Sequence, residues 1–404
     1  MIQTAVLPFD TETLNAKDCF EIKGIARPAP KSKQMSEATW DLANLDLLRS
    51  VAVALVFFTH IMGAMRIPGL GDLGHFGVLL FFVHTALVLM LSMGRLGLSG
   101  GRLYAAFIVR RIFRIYPLSI LTVGLVVAFH IPFAPWFEGV MGQFVWPGWP
   151  GILSNLLLTQ NITSSVSVLC VLWSLPFEVQ MYAFLPLLYI LVSRFPSLRV
   201  ISLIWLAGVA IAGLECIVRI GEGDSEFLLL RYFPCFLAGV FAWRLMGAQK
   251  HRFPGALWVV VLIVLITLYR LEDVFRVYGP NWLDALHGGF KKDPHISIPP
   301  YLDLLRDWVF CSITGLILPL FSDIKNRWLN AITRRVAMYS YGVYVCHVPM
   351  LWICFNRLHF GNVAASAILT VFLTALVSFL LYHFIEHPAI QFGKLLTSRL
   401  RFSA

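Results

Sequence analysis

Apolar runs of about 18 residues or more recur along this chain between short polar stretches, and alternation at period two is absent. A continuous run of that length crosses the hydrocarbon core of a bilayer as a helix, and the missing alternation excludes a transmembrane barrel. The pattern predicts ten spans, at roughly 45–65, 73–93, 108–130, 173–193, 199–218, 228–247, 256–271, 303–322, 337–356 and 364–385. The expected fold is therefore all-α: a polytopic integral membrane protein of about ten transmembrane helices. Residues 1–42 are polar, with Arg-Pro-Ala-Pro at 27–30, and read as a disordered cytoplasmic tail. The membrane domain is expected over 43–388 and a short cytoplasmic tail over 389–404. No short apolar core precedes a cleavage site in the first 40 residues, so the first span is expected to act as an uncleaved signal.

Composition supports this class, with 58% hydrophobic and 13% charged residues where soluble domains carry about 25% charged. A net charge of +10 would suit nucleic acid, but the basic residues gather in alternate loops. One set holds Arg95, Arg102, Arg110, Arg111 and Arg114, then Arg194 and Arg199, Arg244 to Arg252, Lys325 to Arg335, and Lys394 to Arg401. The intervening segments are poorer in basic residues and collect Glu215, Glu222, Asp224 and Glu226. This is the positive-inside pattern; it puts both termini in the cytoplasm and makes the bilayer, not nucleic acid, the partner. Seven cysteines are scattered singly without metal-ligand spacing, and no metal is expected. Two long outer segments, 131–172 and 272–302, combine aromatic residues with prolines or carboxylates, among them Trp136, Trp146, Trp149, Trp282, His287 and Asp293. Such sets suit sugar binding, and they equally suit an interfacial aromatic belt. Ile152 to Leu158 is apolar enough to lie on the membrane.

Against this background, ionisable residues inside spans are the candidates for chemistry, because hydrocarbon rejects them. Arg49 and His60 share the first span, eleven residues and about 16 Å apart on nearly one helical face. Asp46 lies on that face as a candidate partner for Arg49. In RRIFRIYP, residues 110–117, Arg111 and Arg114 point the same way and Arg110 points aside. Placed at the cytoplasmic mouth of the third span, they suit bidentate phosphate recognition, or plain positive-inside anchoring. WSLPFEVQMY, residues 173–182, puts Ser174 and Glu178 on one face, with Arg231 a candidate counter-charge for Glu178. His347 sits at mid-depth in SYGVYVCHVPM, two residues before Pro349, a candidate kink. His84 and His383 lie on two further spans, and no histidine pair has metal-binding spacing.

These segments, together with FFVHTALVL, RYFPCFLAGV and IEHP, resemble in sequence order the membrane acyltransferase family 3 from about residue 40 to 390. The family includes bacterial O-acetyltransferases of envelope polysaccharides and nodulation factors, and macrolide acyltransferases. The resemblance implies that Arg49 and His60 are the first-helix arginine and essential histidine, the catalytic pair. It implies that Arg111 and Arg114 bind the acyl-CoA donor, and that Glu178 and His347 belong to the substrate-binding set. Two departures stand out. Val179 replaces the second acid of the family's WSLSVEEQFY-like motif, and His84 appears in a segment that elsewhere reads FFVLSGFLI. About 18 residues follow Glu386, too few for the SGNH-type esterase domain of some relatives, so none is expected.

The function implied is an integral inner-membrane O-acyltransferase. It moves an acyl group, in the first instance acetyl, from cytoplasmic acyl-CoA to a hydroxyl of an exopolysaccharide, lipopolysaccharide or lipid-linked sugar. The machinery that makes or exports such a polysaccharide is a candidate partner. In this reading His60 is the general base near neutral pH, or itself the acyl carrier, and Arg49 anchors phosphate or stabilises an oxyanion. The alternatives are acylation of a small secondary metabolite such as a macrolide, and a transporter or flippase with a histidine proton relay. The absence of a visible internal repeat weakens the transporter.

Overall fold

The computed structural model describes residues 43–67, 71–218, 229–247, 253–278, 300–358, 361–398 and 400. The N-terminal tail and most of the second long outer segment, with Trp282, His287 and Asp293, lie outside the described residues. All ten predicted spans are helices. They are α1 (Ala43–Ala64), α2 (Gly71–Leu96) and α3 (Gly100–Ala128); then, after a short α4 (Gly148–Leu157), α5 (Leu175–Arg194), α6 (Leu198–Val218) and α7 (Leu229–Met246); then α8 (Ala256–Tyr278), α9 (Pro300–Ile317), α10 (Arg327–Trp352) and α11 (Val363–Leu381). A last helix, α12 (His387–Ser398), follows. The described residues contain no strand, only an isolated bridge between Phe253 and Phe321.

Length and hydropathy mark eight of these helices as able to cross a membrane. The other two predicted spans, α8 and α9, fall outside that set because each mixes charges into its apolar sequence: Arg270, Glu272 and Asp273, and Asp303, Arg306 and Asp307. This is a multi-pass membrane protein in which α9 turns charge inward, with Arg306 and Asp307 both buried.

The bundle is arranged around α2, not α1. The most apolar stretch of α2 is 83% buried, against 44% for α1 and 22% for the α11–α12 region. α2 packs on α1 and α7; α1 also packs on α10, and α7 on α6 and α9. Close approach of backbones is what seats α2. A Cβ on Gly77 would lie 2.6 Å from the Ala52 carbonyl oxygen of α1, and one on Gly239 of α7 would lie 2.8 Å from Ala86 Cβ and against the Val83 carbonyl. Gly239→Ala is therefore expected to destabilise the protein by about 2–3 kcal/mol, read as a lowered melting temperature in detergent. A melting temperature unchanged by that methyl group would mean that the α2–α7 contact is looser than it is here.

Several boundaries differ from those read off the apolar runs. α3 begins at Gly100 instead of 108, and α10 at Arg327 instead of 337, where Asn326 caps it by accepting from the amides of Trp328 and Leu329. Both extensions contain arginine, which a search for apolar runs discards. α10 carries Pro349 in its interior and opens into a π turn over Ile353–Arg357. The expected C-terminal tail is partly helical: α12 packs on α3, with Arg110 Nε donating to Thr397 Oγ1 at 2.7 Å and Phe113 edge-on to Phe392. The apolar stretch at Ile152 forms α4, whose buried Asn155 ties the loop by donating to the Gly151 and Val166 carbonyls and accepting from Val168 N–H.

Candidate functional site

Two cavities open into the bundle, and Val78 and Tyr344 line both, so the cavities meet across this pair. The smaller, about 80 Å³, holds Arg49, Arg111 and Arg114 together with His84, Glu178, Tyr182 and Ser340. The larger, about 880 Å³, is walled by His60, His75, Trp136, Trp173 and Tyr232. α1 enters from the end where α2, α5 and α7 finish with Arg95, Arg194 and Arg244, and His60 is near its far end. The arginine cavity therefore belongs to the basic side of the bundle and the histidine cavity to the opposite side.

In the arginine cavity, Arg49 Nε donates to Ser340 Oγ of α10 at 2.5 Å, and Ser340 Oγ donates to the Ala337 carbonyl at 2.8 Å. This bond runs across to α10, while Asp46, the expected partner of the guanidinium, acts on it electrostatically from the same helix. The guanidinium lies over the Phe81 ring at 5.7 Å. Glu178 accepts from Tyr182 O–H at 3.1 Å and Thr85 O–H at 3.4 Å. It does not pair with Arg231, whose Nε donates to Glu215 at 2.8 Å. Ser174, expected beside Glu178, lines the same cavity and is hydrogen-bonded to Tyr344 O–H at 2.7 Å.

Arg111 and Arg114 do face one way, and Arg110 is turned to α12, as the helical spacing predicts. α3 starts at Gly100, so they stand about 16 and 21 Å along the helix from its first residue, and both line the buried arginine cavity. Burial of cations at that depth calls for compensation. Arg114 forms an ion pair with Glu386, which is fully buried, and lies over the Tyr341 ring. Arg111 lies over Phe107, and among the described residues its Nε has no hydrogen-bond partner; nor has His84 Nδ1. Buried polar nitrogens without a partner, in a cavity with three arginines, mark a place prepared for an anion or a polar ligand.

In the histidine cavity, His60 Nδ1 is 2.8 Å from His347 Nε2, and the rings stack with centroids 5.1 Å apart. His347 Nδ1 is 2.9 Å from the Val343 carbonyl. A carbonyl only accepts, so His347 Nδ1 donates and its Nε2 accepts from His60 Nδ1–H. In the neutral pair this leaves His60 Nε2 as the bare nitrogen, in the tautomer a general base needs. Trp136 covers the His60 ring at 4.7 Å. His347 is fully buried and lines neither cavity; the structure puts it behind His60. The aromatic-rich outer segment divides in the same way, with Trp136 in the cavity wall and Trp146 and Trp149 exposed.

His75 and Tyr344 also line these cavities, Glu386 and Asp307 stand behind the linings as partners of Arg114 and His75, and none of the four is a site residue in the sequence reading. Asp307 carries the same signal as His60, an ionisable residue in an apolar span, whereas His75 and Glu386 are masked by their positions near helix ends.

The fold and these cavities define a multi-pass membrane protein with a buried cationic pocket and a histidine-lined chamber on either side of Val78 and Tyr344. Residues 42–383 match acyltransferase family 3, described as an acyltransferase domain, and the chain belongs to that family. It is 27% identical over 372 residues to the Bacillus subtilis (strain 168) protein named "Putative peptidoglycan O-acetyltransferase YrhL", a match covering 86% of this chain and 54% of that protein. It is 24% identical over 331 residues to "Regulator of hypoxia-inducible factor 1" of Caenorhabditis elegans, covering 70% of this chain and 62% of the relative. The chain thus spans between half and two thirds of the length of these relatives. No solved structure matches it significantly.

Proposed function

We propose that this protein is an O-acyltransferase of the cytoplasmic membrane, moving an acetyl group from acetyl-CoA on the basic side to a glycan hydroxyl presented from the opposite side. The observation that carries the reading is the meeting of the arginine cavity and the histidine cavity at Val78 and Tyr344. Family membership supports acyl transfer, and the name of the B. subtilis relative supports a glycan acceptor. Arg49, Arg111 and Arg114 hold phosphate oxygens of the donor in the arginine cavity, and the thioester at the end of its flexible arm reaches past Val78 and Tyr344 to His60.

His60 Nε2 takes the proton of the acceptor hydroxyl while that oxygen bonds to the thioester carbonyl carbon. The tetrahedral intermediate then collapses with cleavage of the carbon–sulfur bond. The proton passes from His60 to the departing thiolate, giving CoA thiol and the acyl ester. His347 acts through His60 by fixing its tautomer and ring, and Glu178 orients the groups around Arg49. The test is release of CoA thiol from acetyl-CoA by the purified protein in nanodiscs, with muropeptides and N-acetylglucosamine trimer as acceptors. Acceptor-stimulated release with ester appearing on the sugar is expected. A protein that binds sugar but never cleaves acetyl-CoA would be a carrier, and the reading would fail.

A further inference from the structure

The histidine cavity contains a second polar assembly that the scheme above leaves unused. His75, in the first turns of α2, places Nε2 2.7 Å from Asp307 Oδ2 on α9. Asp307 Oδ1 accepts from Tyr269 O–H of α8 at 2.9 Å and faces Arg306 Nε at 3.4 Å. Arg306 is itself surrounded by Asp72, Glu272 and Asp303, and its guanidinium lies 4.3 Å from the Tyr269 ring centre. Polar groups from three helices thus converge to fix one imidazole. With donors already on Oδ1, the carboxylate accepts on both sides, so His75 Nε2–H donates, and in the neutral ring Nδ1 is left as the acceptor nitrogen available to the cavity.

The placement of this imidazole is equally constrained. Its ring stacks parallel to Trp173, with centroids 5.8 Å apart and a 10° tilt, and Tyr232 lies against it. All three line the cavity that His60 lines. Gly74, the residue before His75, meets Thr59, the residue before His60: a Cβ on Gly74 would sit 3.2 Å from Thr59 Cβ. The two histidines therefore rise from a single contact between α1 and α2 and flank the same chamber.

We propose that His75, held by Asp307, with Trp173 and Tyr232 beside it, is the acceptor-orienting subsite, and that it selects acceptors carrying at least two hydroxyls. A sugar ring gives one hydroxyl to His60 Nε2 for acylation, and a second hydroxyl donates to His75 Nδ1. The aromatic wall takes the apolar face of the ring. His75 makes no covalent bond and takes no proton in this role; it fixes which hydroxyl reaches His60. Asp307, Tyr269 and Arg306 are positioning residues. The inference rests on the acyl-transfer reading.

The experiment measures acetyl-CoA cleavage by the full-length protein in nanodiscs, with N-acetylglucosamine trimer and its single-deoxy analogues as acceptors. His75→Ala is expected to raise the KM for the trimer about tenfold, the scale of one hydrogen bond to a fixed partner, while the KM for acetyl-CoA stays within about twofold. One deoxy analogue should bind the wild type as weakly as it binds His75→Ala, because both lack the same bond. Imidazole should restore affinity to His75→Gly. An unchanged trimer KM, or an equal loss on the trimer and every deoxy analogue, would overturn the assignment. Asp307→Asn, which loosens the hold on the ring, is expected to raise the trimer KM and leave the acetyl-CoA KM unchanged; if it fails to fold, the His75→Gly and imidazole pair still decides. A wild type whose acetyl-CoA cleavage no acceptor stimulates refutes the acyl-transfer reading and this subsite with it, whereas an active wild type with an unaltered His75→Ala refutes the subsite alone.

Discussion

His60→Ala is expected to reduce acyl transfer by about 10³-fold, in the middle of what loss of a general base costs, while the protein still inserts and melts normally. The asymmetry comes from where the residue stands. His60 is only partly buried and lines a large cavity, so its removal enlarges a space that already exists and opens no sealed void. Its hydrogen bond is to His347, which keeps its own bond to the Val343 carbonyl. His347→Ala separates the two roles. Without His347 the His60 ring keeps its basic nitrogen but loses the group that fixes its tautomer, so a loss of about 10–100-fold is expected. Measured as acceptor-dependent ester formation, His60→Ala with a rate near that of wild type would remove His60 from the proton transfer. Equal losses in both variants would mean that the pair acts as one unit.

What the sequence makes legible is the hydrocarbon's veto. Ten apolar runs announce ten helices, and Arg49, His60, Arg111, Arg114 and Glu178 are conspicuous because a lipid face would reject them. Helical spacing also assigns faces, sending Arg110 to α12 and the other two arginines inward. Three things stay hidden. Depth is hidden because a helix start that carries arginine looks like loop to a search for apolar runs, which places the start of α3 eight residues late. Pairings across helices are hidden because spacing relates only residues on one helix. Arg49 with Ser340, Arg114 with Glu386 and His75 with Asp307 join residues more than 200 positions apart. The third is the organising helix. α1 carries the conspicuous polar residues, but α2 is the most deeply buried of the spans, and its role shows only in contacts such as that of Gly239 with Ala86.

The arginine pair separates binding from stability in a way that a single substitution does not reveal. Arg114→Ala leaves Glu386 buried without its counter-charge, and breaking such a pair costs about 3–5 kcal/mol. A drop in donor affinity in that variant would be confounded by unfolding. Arg111 forms no such ion pair among the described residues: its Nε is unpaired, and Glu178, whose field it shares with Arg49, keeps its own hydrogen bonds to Tyr182 and Thr85. Arg111→Ala is therefore expected to keep its melting temperature and to weaken acetyl-CoA binding about 10–100-fold. The informative variant combines Arg114→Ala with Glu386→Gln. Removing both charges relieves the uncompensated carboxylate, so most of the lost melting temperature should return, while acetyl-CoA affinity should stay as low as in Arg114→Ala. Titration calorimetry of each variant with acetyl-CoA, beside thermal melts in the same detergent, reads the two effects separately. If the double variant recovered donor affinity along with stability, Arg114 would be a structural counter-ion for Glu386 and the phosphate contact would fall to Arg111 and Arg49.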